Sequence, residues 1–200
     1  MKTVLITAPT IYPITIDELR LYLRIDDATG YEDDLLDNII SAATRNAEDI
    51  TRRALLTQTW DYYLDSFPST DAFKLPFGNL QTTVGDVSYI KYTNSAGTQT
   101  TMTLTTDYLV ETNGEQCGRI VLPYGASWPS FTPYPSHPIV VRFICGWTTA
   151  ALVPFNIKAA ILLICADMYS VREQKIMALN MAENKTTMNL LMSSRLWDEF

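Results

Sequence analysis

Gln58-Thr59-Trp60-Asp61-Tyr62-Tyr63-Leu64-Asp65 opens a long β-like segment, and Ile139-Val140-Val141-Arg142-Phe143-Ile144-Cys145-Gly146-Trp147 closes it. The opening run alternates, with Trp60, Tyr62 and Leu64 on one side, the period of a strand that buries one face. The closing run is the strongest strand signal in the chain, rich in β-branched and aromatic residues. Between them, residues 87–93 and 98–104 flank the turn Asn94-Ser95-Ala96-Gly97, and residues 108–111 and 119–123 flank Thr112-Asn113-Gly114-Glu115. Each set predicts a hairpin. Residues 124–138 hold four prolines and read as irregular loop.

The chain on either side of this segment has the helical period. Thr15-Ile16-Asp17-Glu18 is a capping box, with Thr15 at the N-cap and Glu18 three residues on. It predicts a short helix over 16–24, with Leu19 and Leu23 on one face. A second helix is predicted over 32–54. Its apolar stripe is Leu35, Ile39, Ala43, Ile50 and Ala54, widened by Leu36, Ile40 and Ala47. Asp33 and Asp34 at its start and Arg52 and Arg53 at its end suit the helix dipole, and Glu48/Arg52 and Asp49/Arg53 have i,i+4 spacing. A third helix is predicted over 154–173, opened by Pro154 at the first helical position. It is apolar nearly all round, which implies a buried, central position. Thr186 or Thr187 is placed to cap a last helix over 187–198 that carries Leu190, Leu191, Leu196 and Trp197.

The fold class expected is therefore α+β. A helical domain is built from residues 14–57 plus 149–200, with an antiparallel β module over 58–148 inserted between the second and third helices. A chain of 200 residues suits one domain or two small ones, and 47% hydrophobic residues supply a sizeable core.

Charge narrows the function. The chain carries a net −7, and residues 14–57 alone carry −5. Phosphate binding needs clustered Lys and Arg, so this balance points away from a protein that grips nucleic acid, though not from one past which DNA slides. Cys117, Cys145 and Cys165 are odd in number and scattered, which points away from a disulfide framework or a zinc site and towards reduced packing residues. The first nine residues are too short and too weakly charged for a signal peptide, and no apolar run approaches the ~20 residues of a membrane span. Asp26-Asp27-Ala28-Thr29-Gly30 lacks the alternating acids and closing Glu of a calcium loop.

Motifs for catalysis are missing. The single histidine, His137, is held between Pro135 and Pro138, with no nucleophile elbow in the chain for it to serve. The eight glycines form no phosphate loop. A hydrolase using paired acids remains an alternative, but dipole and solvation account for the acids of the first two helices. No cofactor, metal or catalytic residue is assigned. The 22 aromatics are concentrated in the β segment, where sheet packing explains them more simply than a sugar platform does. The tail has Met177, Met181, Met188 and Met192 beside Leu190, Leu191, Leu196 and Trp197, and reads either as a loose end or as an adaptable docking strip.

Three pieces, taken in order, resemble the tailed-phage head–tail connector family, also called adaptor or head-completion proteins. They are the run from Pro13 to Asp26 continued by Leu35-Leu36-Asp37-Asn38-Ile39-Ile40, then Glu48-Asp49-Ile50-Thr51-Arg52-Arg53-Ala54-Leu55-Leu56, and then Pro154-Phe155-Asn156-Ile157-Lys158-Ala159-Ala160 closed by Tyr169-Ser170-Val171-Arg172-Glu173. The resemblance is to the branch with a β insertion between the second and third helices. It implies a non-enzymatic virion protein of the neck, made in the host cytoplasm, that forms a ring of twelve subunits beneath the portal. Such a ring extends the DNA channel and offers a surface to a tail-side neck protein, with no role for a membrane. Under that reading Asp26, Asp27, Asp33, Asp34 and Asp37 are the acids expected to face the channel, where negative charge keeps the duplex sliding. Leu190, Leu191, Leu196 and Trp197 are the expected portal-docking tail. The alternatives are a receptor- or glycan-binding module of a virion, carried by the β segment, and the neighbouring stopper protein of the neck, which would be more wholly β.

Overall fold

A computed structural model of the chain describes residues 1–26, 30–81, 87–170 and 185–197. It is α+β, and it divides into two compact units. One holds residues 1–9, 57–147 and the chain from 196 on; the other holds residues 10–56 and 148–195.

The first unit is built on a five-stranded antiparallel sheet of β1 (Lys2–Thr7), β2 (Gln58–Leu64), β4 (Val87–Thr93), β5 (Gln99–Thr101) and β8 (Ile139–Cys145), in the order β1-β2-β8-β4-β5. The two quoted strands lie side by side at its centre. Their register sets Trp60 opposite Phe143, Tyr62 opposite Val141 and Leu64 opposite Ile139, and these six side chains are all buried. The sequence alternation thus names the covered face correctly. A second sheet of β3 (Ala72–Lys74), β6 (Leu109–Glu111) and β7 (Arg119–Val121), in the order β3-β7-β6, adds Ile120 to the core. The predicted hairpins are present. Asn94 Oδ1 accepts from the Ala96 and Thr98 amides at 3.1 and 2.9 Å, closing the β4–β5 turn. Strands β1 and β3 have no counterpart in the sequence reading. Both are short or half-exposed, so neither carries a buried alternation to read.

The second unit is helical: α1 (Ile16–Leu23), α2 (Asp33–Thr51), a 3-10 turn (Ala150–Leu152), α3 (Phe155–Ser170) and α4 (Thr186–Met192). The capping box forms as read, with Thr15 Oγ1 accepting from the Glu18 amide at 3.1 Å and Glu18 Oε2 accepting from the Thr15 amide at 2.7 Å. Helix α2 ends three residues earlier than its pattern suggests. Thr51 Oγ1 turns back to donate to the Ala47 carbonyl at 2.7 Å, and Arg52 adopts the left-handed conformation at φ 56°. Arg53 is therefore outside the helix and buried, its Nε donating to the Ser194 carbonyl at 2.6 Å. Asp49 pairs with Arg45 at 3.2 Å, on the preceding turn.

The buried side of α2 is Leu36, Ile39, Ile40, Ala43 and Ala47, so the stripe is turned away from Leu35, which is 39% exposed. Helix α3 packs on α2, with Cys165 Sγ 4.0 Å from the Ile39 carbonyl and Tyr169 Oη donating to Glu32 at 2.7 Å. Its fully buried residues, Ile157, Ala160, Ile161 and Cys165, lie on one side only, and Phe155 is 85% exposed. The nearly all-round apolar pattern implies a central, buried helix, and α3 is central, lying against α1, α2 and α4, though its outer side is not fully covered. Helix α4 stops at Met192, leaving Leu196 and Trp197 beyond it. The expected helical residues 171–173, Met177 and Met181, and residue 198 lie outside the described residues.

Candidate functional site

Of the acids singled out in the sequence, Asp33, Asp34 and Asp37 lie in the first turns of α2. Gly30 stands just ahead of them. At φ +71° it occupies a backbone region that side chains avoid, and a Cβ there would lie 2.9 Å from Asp33 Oδ2. The turn thus lets Asp33 fold back to an ion pair with Arg20 of α1, whose other terminal nitrogen lies 3.4 Å from Asp17 Oδ1. Asp33 is offset by a cation, while Asp26, Asp34 and Asp37 are exposed. Asp27 lies outside the described residues. The edge is thus a solvated acidic surface, held in place by one Arg.

The tail residues separate on burial. Leu191 and Leu196 are buried and Leu190 is half-buried. Trp197 is 70% exposed and Met188 is also exposed. Two of the four tail residues are therefore packing residues rather than exposed ones. Asn156 of α3 fixes the end of α4 by donating to the Leu190 carbonyl, Ser193 Oγ and Ser194 Oγ at 3.2, 2.9 and 2.7 Å.

Two constellations in the β unit were not anticipated. On the less buried face of the large sheet, Arg142 makes a two-pronged ion pair with Asp61, both contacts at 2.7 Å. Asp61 is buried, and Tyr63 Oη lies 3.4 Å from its second oxygen. Arg142 also lies over the Tyr89 ring at 5.1 Å, and Lys91 over the same ring at 4.2 Å. The Asp61 hydrogen bonds hold Arg142 protonated beyond its ordinary range. Burial, then the Asp61 charge, raises the Tyr63 and Tyr89 phenols. Arg142 and the two phenols thus hold their protons more firmly than usual, which suits structure rather than proton transfer.

The second constellation is a half-exposed aromatic cluster. Phe67 stacks on Trp128 with centroids 5.0 Å apart and rings within 4° of parallel, and Phe131 and Tyr92 set their edges against Phe67. His137 stands apart, with Nδ1 3.9 Å from Asp65 and its ring tilted against Tyr63. The three cysteines are buried and not joined in disulfides, and burial pushes the Cys165 thiol up to about 12. Such a thiol is no nucleophile near neutral pH. Among the described residues no group of three or more His, Cys, Asp or Glu is placed to hold a metal ion, and no helix is long and apolar enough to cross a membrane.

Residues 13–113 match the family model for the phage gp6-like head-tail connector protein. The chain belongs to that head-tail connector family. Membership places the connector among structural proteins of the virion neck. No curated protein matches its sequence. Solved structures share its fold over nearly the whole length. A chain in the neck of an empty gene transfer agent (GTA) particle, computed with C6 symmetry, has a TM-score of 0.80 at 22% identity, covering 100% of the connector and 98% of that chain. A chain in the virion of the native GTA particle has a TM-score of 0.76 at 21% identity, again covering 100% and 98%. A chain in the neck of the native GTA particle, computed with C12 symmetry, has 0.73 at 20% identity, covering 98% and 97%. At these identities the likeness is one of fold, and it extends past residue 113 into the remaining strands and α3.

Proposed function

We propose that the connector assembles as a ring of twelve copies beneath the portal, extends the channel for packaged DNA, and presents its far side to a tail-side neck protein. The observation that carries this reading is the family match, supported by the full-length likeness of fold to a chain from a neck computed with C12 symmetry. A closed ring needs two different, complementary surfaces on each subunit. The helical unit has exposed apolar side chains to supply them, among them Ile11, Leu21, Leu152 and Phe155.

In this reading Asp26, Asp34 and Asp37 face the channel. Asp33 contributes less because Arg20 offsets it. Fixed negative charge within a Debye length of the duplex, about 8 Å at physiological salt, repels phosphate and prevents sticking. Trp197, with Leu190 half-covered nearby in sequence, makes the portal contact, while Leu191 and Leu196 anchor that segment to its own chain.

The test is stoichiometric. Native mass spectrometry of the cognate portal ring titrated with the connector is expected to saturate at twelve added copies, the symmetry of the C12 neck. Saturation at one copy, or no complex at all, contradicts the proposal.

A further inference from the structure

The aromatic cluster of the β unit borders a surface cleft of about 370 Å³, lined by Asp65, Phe67, Pro68, Trp128, Pro129 and Phe131 among others. We infer that this cleft is a docking site for an extended, proline-bearing segment of a partner protein that carries a basic residue. The inference does not depend on the ring.

Four observations lead there. The walls are aromatic rings and prolines, the lining that receives polyproline-type segments. The rings are preformed: Trp128 Nε1 donates to the Thr70 carbonyl at 2.8 Å, Phe67 stacks on Trp128, and Phe131 lies 4.8 Å from Tyr92. A rigid wall loses little freedom on binding. Next, Ser130 is exposed and Phe131 half-buried on the cleft wall, so an extended segment laid along it reaches both. Finally, Asp65 places an exposed carboxylate on the cleft, with the Met1 amine 3.4 Å from one oxygen and His137 Nδ1 3.9 Å from the other. A Lys or Arg on the incoming segment pairs with that carboxylate.

The probe is a fluorescein-labelled peptide of alternating prolines and aliphatic residues ending in arginine, added to the full chain and followed by fluorescence anisotropy. Saturable binding is expected. Phe131→Ala should weaken it at least ~10-fold, as for a central aromatic anchor. Asp65→Asn should weaken it ~3-fold at low salt and less at high salt, as for an exposed ion pair. Should Phe131→Ala fail to fold by circular dichroism, Asp65→Asn decides alone, because that side chain is surface-exposed. No saturable binding, equal affinity for a glutamate-ended peptide, or preference for an unlabelled oligosaccharide that displaces the probe overturns the inference.

Discussion

At the scale of single residues, Asp61 is the most instructive. In the sequence it is an acid on the polar side of an alternating strand, which ordinarily means solvent. The register sets it directly opposite Arg142, and the two bury each other. Neither residue could be assigned without that cross-strand pairing, because the partners are far apart in the chain. Asp61→Ala leaves a half-buried guanidinium unpaired and should lower stability by about 2–3 kcal/mol in urea unfolding. The spare cost of Asp61→Asn should be smaller, since an amide still accepts a hydrogen bond. Cys165 gives a pH signature. Its folded pKa is raised from 9.0 to about 12 by burial, so the folded chain keeps a proton that the unfolded chain loses. The stabilisation is complete below pH ~9 and is lost as pH rises towards 12. Thermal melts between these limits should therefore fall with pH, and less steeply in a Cys165→Ala variant measured against its own neutral value.

At the scale of elements, what was legible was whatever had a local signal. The Thr15–Glu18 box is complete in the sequence and complete in the structure. Thr15→Ala should cost about 1 kcal/mol, measured by denaturant unfolding. The two central strands were legible because one face alternates cleanly. The end of α2 was not, because the apolar pattern runs on through Ala54 while Arg52 turns left-handed and Arg53 is taken by the Ser194 carbonyl. That partner lies 141 residues away, and no periodicity reports it. Helix α3 is central, as its composition implies, but is not covered on every side. An all-round apolar helix is the pattern of a buried core, yet one side holds its buried residues and Phe155 stands in solvent. A subunit that hides further surface in an assembly has this composition. Gly30 is the joint between the first two helices. Gly30→Ala strains a φ of +71° and crowds Asp33, and should destabilise the fold by about 1 kcal/mol or more.

At the scale of the whole molecule, the family was legible because three short motifs keep their order along the chain. The aromatic cleft was not, because its rings come from loops whose spacing has no period. Burial also changes how the tail is tested. Deleting residues 186–200 removes Leu191 from the core along with any docking surface, so loss of binding would be ambiguous. Trp197→Ala is cleaner, since that ring is 70% exposed. It should weaken portal binding at least ~10-fold with little change in unfolding. Reversing charge with Asp34→Lys plus Asp37→Lys should leave assembly intact and slow DNA release from particles, an effect that shrinks as salt rises. The most direct measurement of the central claim is electron microscopy of the connector mixed with its cognate portal ring. A twelvefold ring of added density on one end of the portal is expected, with the start of α2 lining its bore. Connector that stays apart from the portal, or a ring whose bore is lined by other residues with Asp34 and Asp37 on its outer wall, would contradict that claim.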